Sequence, residues 1–205
     1  MPAIPTRTAL FARSLPASVL RASCAALPAL ALSAAFATGF AGQSLAAGSD
    51  DSAAPKPTNT TKTCKGAKVW DDQKQRCVAP KHSSLDPDEM YDAVRELAYA
   101  GRYGDAQAVL AAMPDQMDSR VLTYWGFTYR KQGYRDQAMS YYTRAIALDP
   151  QNHLARSYMG QGFVAEGKYG LALEQWKLIR AAGGSGSWAE VSLREALLSG
   201  QTQSY

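Results

Sequence analysis

Histidine and cysteine are scarce in this chain. Two histidines, His82 and His153, and three cysteines are spread over 205 residues, and no cysteine follows Cys77. Metal-assisted hydrolysis and nucleophilic catalysis need such side chains clustered, with a base beside a nucleophile. Neither histidine has a cysteine or serine partner at a spacing that would serve. The carboxylates of the second half, Asp105, Asp136, Glu166 and Glu174, fall in turns and on polar faces, where compensation of helix dipoles accounts for them. The expectation is a protein that is not an enzyme and carries no cofactor and no metal.

Acidic side chains are absent from Met1 to Ser49, where Arg7, Arg13 and Arg21 are the only charges. An alanine-rich apolar run from Cys24 to about Phe40 precedes Ser44-Leu45-Ala46, a small-x-small cleavage pattern. That order predicts a signal peptide over residues 1–46 and export, with the membrane met only in transit. An organelle-targeting peptide is the alternative, because that class is also rich in arginine and serine and poor in acid. Pro28 and Gly39 interrupt the run and argue against a retained anchor. Three of the 22 basic side chains belong to this segment, leaving 19 against 18 acidic ones. A remainder so near neutrality has no field to draw in nucleic acid or anionic lipid.

Beyond the leader two cysteines remain, Cys64 and Cys77. An even count in an exported chain predicts a disulfide, worth roughly 3 kcal/mol for a loop of this length. A zinc site on Cys64, Cys77 and His82 would lack a fourth ligand. Residues 47–63 have neither aromatics nor apolar periodicity and are expected to be a flexible linker. Residues 64–85 are expected to form a small module, with turns at Gly66 and Asp71-Asp72 and with Trp70 covering the sulfurs. Over fewer than twenty residues this module resembles the closing part of small chitin-binding modules. An exposed Trp70 stacking on a cell-wall sugar is therefore the alternative functional reading, with the helices as spacer.

From residue 86 to about 200 the pattern is helical. Asp86-Pro87-Asp88-Glu89 carries a capping-box start with proline at the first helical position. Met90, Ala93, Val94 and Leu97 form the apolar stripe that follows. A second helix is expected from about Tyr103 to Met113. Turn glycines then recur at Gly101, Gly133 and Gly167, with alanines at Ala106, Ala138 and Ala172. Large partners recur at Leu110, Tyr142 and Trp176, and first-helix closers at Leu97, Tyr129 and Phe163. Each series steps by 32 and then 34 residues, the signature of stacked helix pairs. Small Gly126 and Ala138 are expected to let the central pair of helices approach closely, and Asp149-Pro150 to end it.

This period resembles the tetratricopeptide repeat. Gly126, Tyr129, Ala138, Ala145 and Pro150 match that family's residue types, and Leu122 and Trp125 fill its large apolar positions. The third repeat keeps Gly160 and Ala172, but has Arg156 at an apolar position and Gly184 in place of the closing proline. The first repeat is two residues short, with Val94 at the small position. Ser187-Trp188-Ala189-Glu190 opens a last helix, expected to cap the array. Gly183, Gly184 and Gly186 before it are read as a turn, since no strand precedes and no lysine follows.

The resemblance implies an all-α solenoid of about three helix hairpins plus a C-terminal capping helix, preceded by the small disulfide-pinned segment. The layout of leader, cysteine pair and repeats is similar to that of the small exported tetratricopeptide proteins of Gram-negative bacteria, which implies a periplasmic adaptor whose first helices line a concave groove for a segment of another protein. Projection places Tyr91, Arg95, Tyr99, Arg120, Thr123, Phe127, Arg130, Ser157, Gln161 and Val164 on that groove. The family's clamp for a C-terminal carboxylate needs lysine and asparagine there, and Tyr91, Arg95, Thr123 and Phe127 stand instead. A third reading is structural, with weak self-association through the groove or an incompletely capped end of the array.

Overall fold

The computed structural model describes residue 51, residues 53–82 and residues 85–202, all within one compact unit, Ser44–Tyr205. The expected leader, residues 1–46, lies outside the described residues, as does most of the expected 201–205 tail.

Three helix hairpins and a capping helix follow one another: α2 (Pro87–Tyr99) with α3 (Tyr103–Leu110), α4 (Ser119–Lys131) with α5 (Arg135–Leu148), α6 (His153–Ala165) with α7 (Tyr169–Ala181), then α8 (Trp188–Ser199). Before them stand a one-turn helix, α1 (Asn59–Lys62), and a two-stranded ribbon of β1 (Val69–Asp71) and β2 (Arg76–Val78). The all-helical repeat architecture expected from the period is what forms.

Local chemistry explains the boundaries. The Asp86 carboxylate accepts the Glu89 backbone N–H at 2.8 Å, while Glu89 accepts the Asp86 N–H at 2.9 Å. That reciprocal pair fixes the start of α2. Within each hairpin the chain turns on a left-handed glycine: Gly101, Gly133 and Gly167 have φ of 75°, 90° and 71°. The N–H after each glycine reaches back to the first-helix closer, bonding Leu97, Tyr129 and Phe163 carbonyls at 2.9, 2.9 and 2.8 Å. One turn device used three times, with a Schellman-type bond each time, accounts for the repeated hairpin geometry. α3 stops at Leu110, short of Met113, because Ala112 and Met113 bond back three residues in a tighter turn.

The core is continuous along the stack. Ala106, Ala138 and Ala172 are fully buried. In the central hairpin, a methyl group on Gly126 would meet the Tyr142 ring at 2.6 Å, so the missing side chain is the space Tyr142 occupies. Trp125, Tyr129 and Tyr141 stack beside it with centroids 5.5–5.9 Å apart, a contact geometry worth about 1 kcal/mol per pair beyond burial. Gly184, where the period leads one to expect proline, sits against Ile179 and His153, which a methyl would meet at 2.7 and 2.8 Å.

Two expectations about the N-terminal part need correction. The segment read as a flexible linker, 47–63, includes α1, and α1 is docked. Glu96, buried on α2, accepts the Thr58 N–H and hydroxyl at 2.6 Å each, the Thr61 N–H at 3.1 Å, and the Thr61 hydroxyl. Hydrogen bonds to one buried carboxylate hold it, so no apolar pattern was needed. Nor does the cysteine module stand apart. The Cys64–Cys77 disulfide is formed, which removes both sulfurs from any zinc site. Val69 is buried in the core shared with α2 and α3. Arg102 donates to the Cys64 and Gly66 carbonyls at 3.0 and 2.7 Å. Trp70 pairs with Cys77 across the ribbon, is half-buried, and gives its indole N–H to Asp72 at 2.9 Å.

Candidate partner-binding surface

The first helices of the hairpins, α2, α4 and α6, carry the residues assigned to the groove, and the structure closes most of that surface. Tyr91, Arg95, Tyr99, Thr123, Phe127, Ser157, Gln161 and Val164 are all 9% exposed or less. An open groove along these side chains is therefore corrected to a filled inner face.

Aromatic packing closes it. Tyr99 on α2 meets Tyr158 on α6, hydroxyl to hydroxyl at 2.7 Å, past the helix between them. Trp188 at the start of α8 donates its indole N–H to Tyr99 at 3.3 Å. Phe127 lies inside this cluster, 4.7 Å from the Tyr158 ring and stacked on Tyr99 at 5.7 Å. Tyr124 bridges edge-on between Tyr91 and Tyr158. Burial pushes the Tyr124 and Tyr158 hydroxyls up from their ordinary values, so they stay protonated and serve as hydrogen-bonding partners for one another.

The polar groove candidates are likewise committed internally. Thr123 donates to the Ser119 carbonyl at 2.7 Å and accepts the Asn152 amide at 3.0 Å. Gln161 donates to Ser192 on α8 at 3.0 Å and to Ser157 at 3.4 Å. Val164 packs with Ala172 and Ala196. Arg130 is half-buried over the Phe127 ring at 5.6 Å, with Nε donating to Tyr142 at 3.4 Å.

At the other end of the stack the surface stays open. Arg120, half-buried, lies 4.9 Å over the Tyr91 ring and pairs with Asp118 and Asp88 at 2.9 Å each. Burial acts to raise the Asp118 carboxyl, but the Arg120 side chain and backbone N–H outweigh it and hold Asp118 below the ordinary carboxylate range. Beside Arg120 a cleft of about 350 Å³ runs past Asn152, His153, Ser187 and Asp51. It lies where α4, α6 and α8 begin, each capped by its own side chain: Asp118, Asn152 and Ser187.

Sequence reasoning missed Asp51, which it placed in the linker, and Tyr124 and Tyr158, which repeat at the 34-residue step. It also missed Asn152, whose place after Asp149-Pro150 marks it as a helix cap. A second cavity, about 240 Å³, is lined by Trp70, Asn59, Asp72, Glu89 and Asp92 where the ribbon meets α2. Among the described residues no group of three metal-ligating side chains comes together, and no helix is long and apolar enough to cross a membrane.

A stack of antiparallel helix pairs with glycine turns at a 32- to 34-residue step defines a helical-repeat protein. Residues 119–152, the central hairpin, match the tetratricopeptide repeat family. The central hairpin is thus a tetratricopeptide repeat, and the flanking hairpins are built to its plan. No curated protein and no solved structure matched it. Repeats of this family mediate protein–protein interaction.

Proposed function

We propose that the protein is a non-catalytic adaptor, exported to the periplasm, that holds a segment of another protein at the cleft where α4, α6 and α8 begin. The observation that carries this reading is the placement of that cleft. It sits on a stack whose inner face is already packed, so the walls supplied by α4, α6 and α8 are in place before a partner arrives and need little ordering on binding. Export is supported by the acid-free, arginine-bearing N-terminal segment and by the Cys64–Cys77 pair. The test is a photo-activated cross-linker at exposed Gln151, which lines the cleft, activated in the native compartment and followed by mass spectrometry. The expected result is one dominant protein adduct, lost when the cross-linker is moved to exposed Lys177 on α7. Equal adducts from both positions would sink it. Fractionation, with thiol labelling of Cys64 and Cys77, checks the compartment.

One observation favours a second reading. Trp70 walls the cavity that also holds Asn59, Asp72 and Glu89, an aromatic face beside acceptors of the kind a sugar uses. Under that reading Trp70→Ala releases the protein from purified cell-wall polymer. Equal retention of the two proteins excludes it.

A further inference from the structure

We infer that Asp51 and Ala53 are internal occupants of a site on α2 that recognises an acidic segment of the partner, and that the partner binds by displacing them. The inference rests on the adaptor reading above and names the chemistry of the segment held.

Tyr91 and Arg95 stand one turn apart on α2 and face the same carboxylate. The Tyr91 hydroxyl donates to the two Asp51 oxygens, at 3.0 and 3.1 Å, and Arg95 Nε lies 3.2 Å from Oδ1. Arg95 Nη2 donates to the Ala53 carbonyl at 2.8 Å. The site thus reads one carboxylate and, two residues on, one main-chain carbonyl. That is a peptide's chemistry, with an acidic side chain as its anchor.

The receiving side is built independently of its occupant. Tyr91 is fixed by the Tyr124 edge at 5.5 Å and by Arg120 over its face. The Arg95 side chain is only 7% exposed, and its other ion pair, with the mostly exposed Asp92, is long at 3.6 Å. Without Asp51 the buried guanidinium keeps the Tyr124 side chain, the Ala53 carbonyl and the long pair to Asp92 but no close carboxylate, so the site favours another one.

Burial raises the Asp51 carboxyl above its ordinary value although Arg95 and Tyr91 both pull it down. An incoming carboxylate meets the same burial and the same two partners, so exchange at this position is near balance and contacts of the rest of the segment tip it. The open cleft begins at Asp51 and Arg120, which provides a path for the rest of an incoming segment.

The experiment uses the full chain and a fluorescein-labelled peptide of residues 49–55, SDDSAAP, read by fluorescence anisotropy. Removing the internal competitor with Asp51→Ala should tighten binding at least tenfold relative to the unaltered protein. The peptide with both aspartates replaced by asparagine should bind the variant at least tenfold more weakly than the acidic one. The inference is overturned if the acidic and asparagine peptides bind Asp51→Ala equally, or if neither binds. It is also overturned if Asp51→Ala loses native circular dichroism, since Asp51 would then be a structural brace. Failure here together with specific capture at Gln151 leaves the adaptor reading standing. Peptide binding with no captured partner removes the adaptor reading and overturns the claim that a partner displaces Asp51.

Discussion

The second and third hairpins start from the same plan and solve it differently. Gly126 and Gly160 occupy equivalent places 34 residues apart, as do Tyr142 and Trp176. In the second hairpin Tyr142 is fully buried in the space beside Gly126. In the third, the atoms nearest a methyl on Gly160 belong not to Trp176 but to Leu193 of α8, at 2.6 Å. Trp176 is half-buried and turns to the capping helix, donating its indole N–H to Glu190 at 2.6 Å. The expectation that Trp176 repeats the role of Tyr142 fails for a physical reason: the last hairpin must also receive α8. A small residue in this fold makes room, and which side chain takes the room depends on the next element. The consequence shows on the surface, where Tyr169, Leu171, Leu173 and Leu178 of α7 and Leu198 of α8 remain exposed.

The comparison breaks most visibly at the equivalent aromatics. Tyr142→Ala should destabilise the protein by about 4 kcal/mol, a buried aromatic leaving a cavity. Trp176→Ala should cost only about 1–2 kcal/mol, because the side chain is half-solvated. Urea unfolding of both variants checks this, and equal losses would erase the distinction. Next in size is the capping contact. Leu193→Ala should cost about 3 kcal/mol and Gly160→Ala about 2 kcal/mol by overpacking. The double variant should be more stable than the sum of those losses predicts, since the added methyl fills the emptied space. Strict additivity in a double-mutant cycle would deny the contact.

A smaller effect belongs to the cap of α4. Asp118 has its carboxyl held below the unfolded value, so its contribution is present above about pH 4 and is lost as pH falls through the folded value. Asp118→Asn should lower stability by about 0.5 kcal/mol at pH 7 and by nothing measurable near pH 2. Melting temperatures at the two pH values test the sign. Smallest of all, Leu198→Glu should leave the melting temperature unchanged, since Leu198 is 81% exposed. It should abolish any concentration dependence of the scattering mass. A strict monomer before substitution would exclude self-association.

Much of the scaffold was legible from local chemistry. Gly101, Gly133 and Gly167 announced the turns, Asp86 and Glu89 a helix start, and Cys64 with Cys77 the disulfide. The inner face was not legible, because projecting Arg95, Phe127 and Gln161 onto a groove assumes an open curvature. Nor was α1, whose attachment through Glu96 leaves no hydrophobic trace. Asp51 is a single acidic residue in a polar stretch, and nothing nearby marks Tyr91 and Arg95 as its receivers.

What the chain determined by itself is the repeat: its step, its turns and its caps, all set by interactions within a few residues. What only the tertiary structure decided is whether the face between the first helices stays open. That depends on Tyr99 reaching Tyr158 and Trp188, 59 and 89 residues away. Such contacts follow from small packing angles accumulated over several helices, and no local pattern encodes their sum.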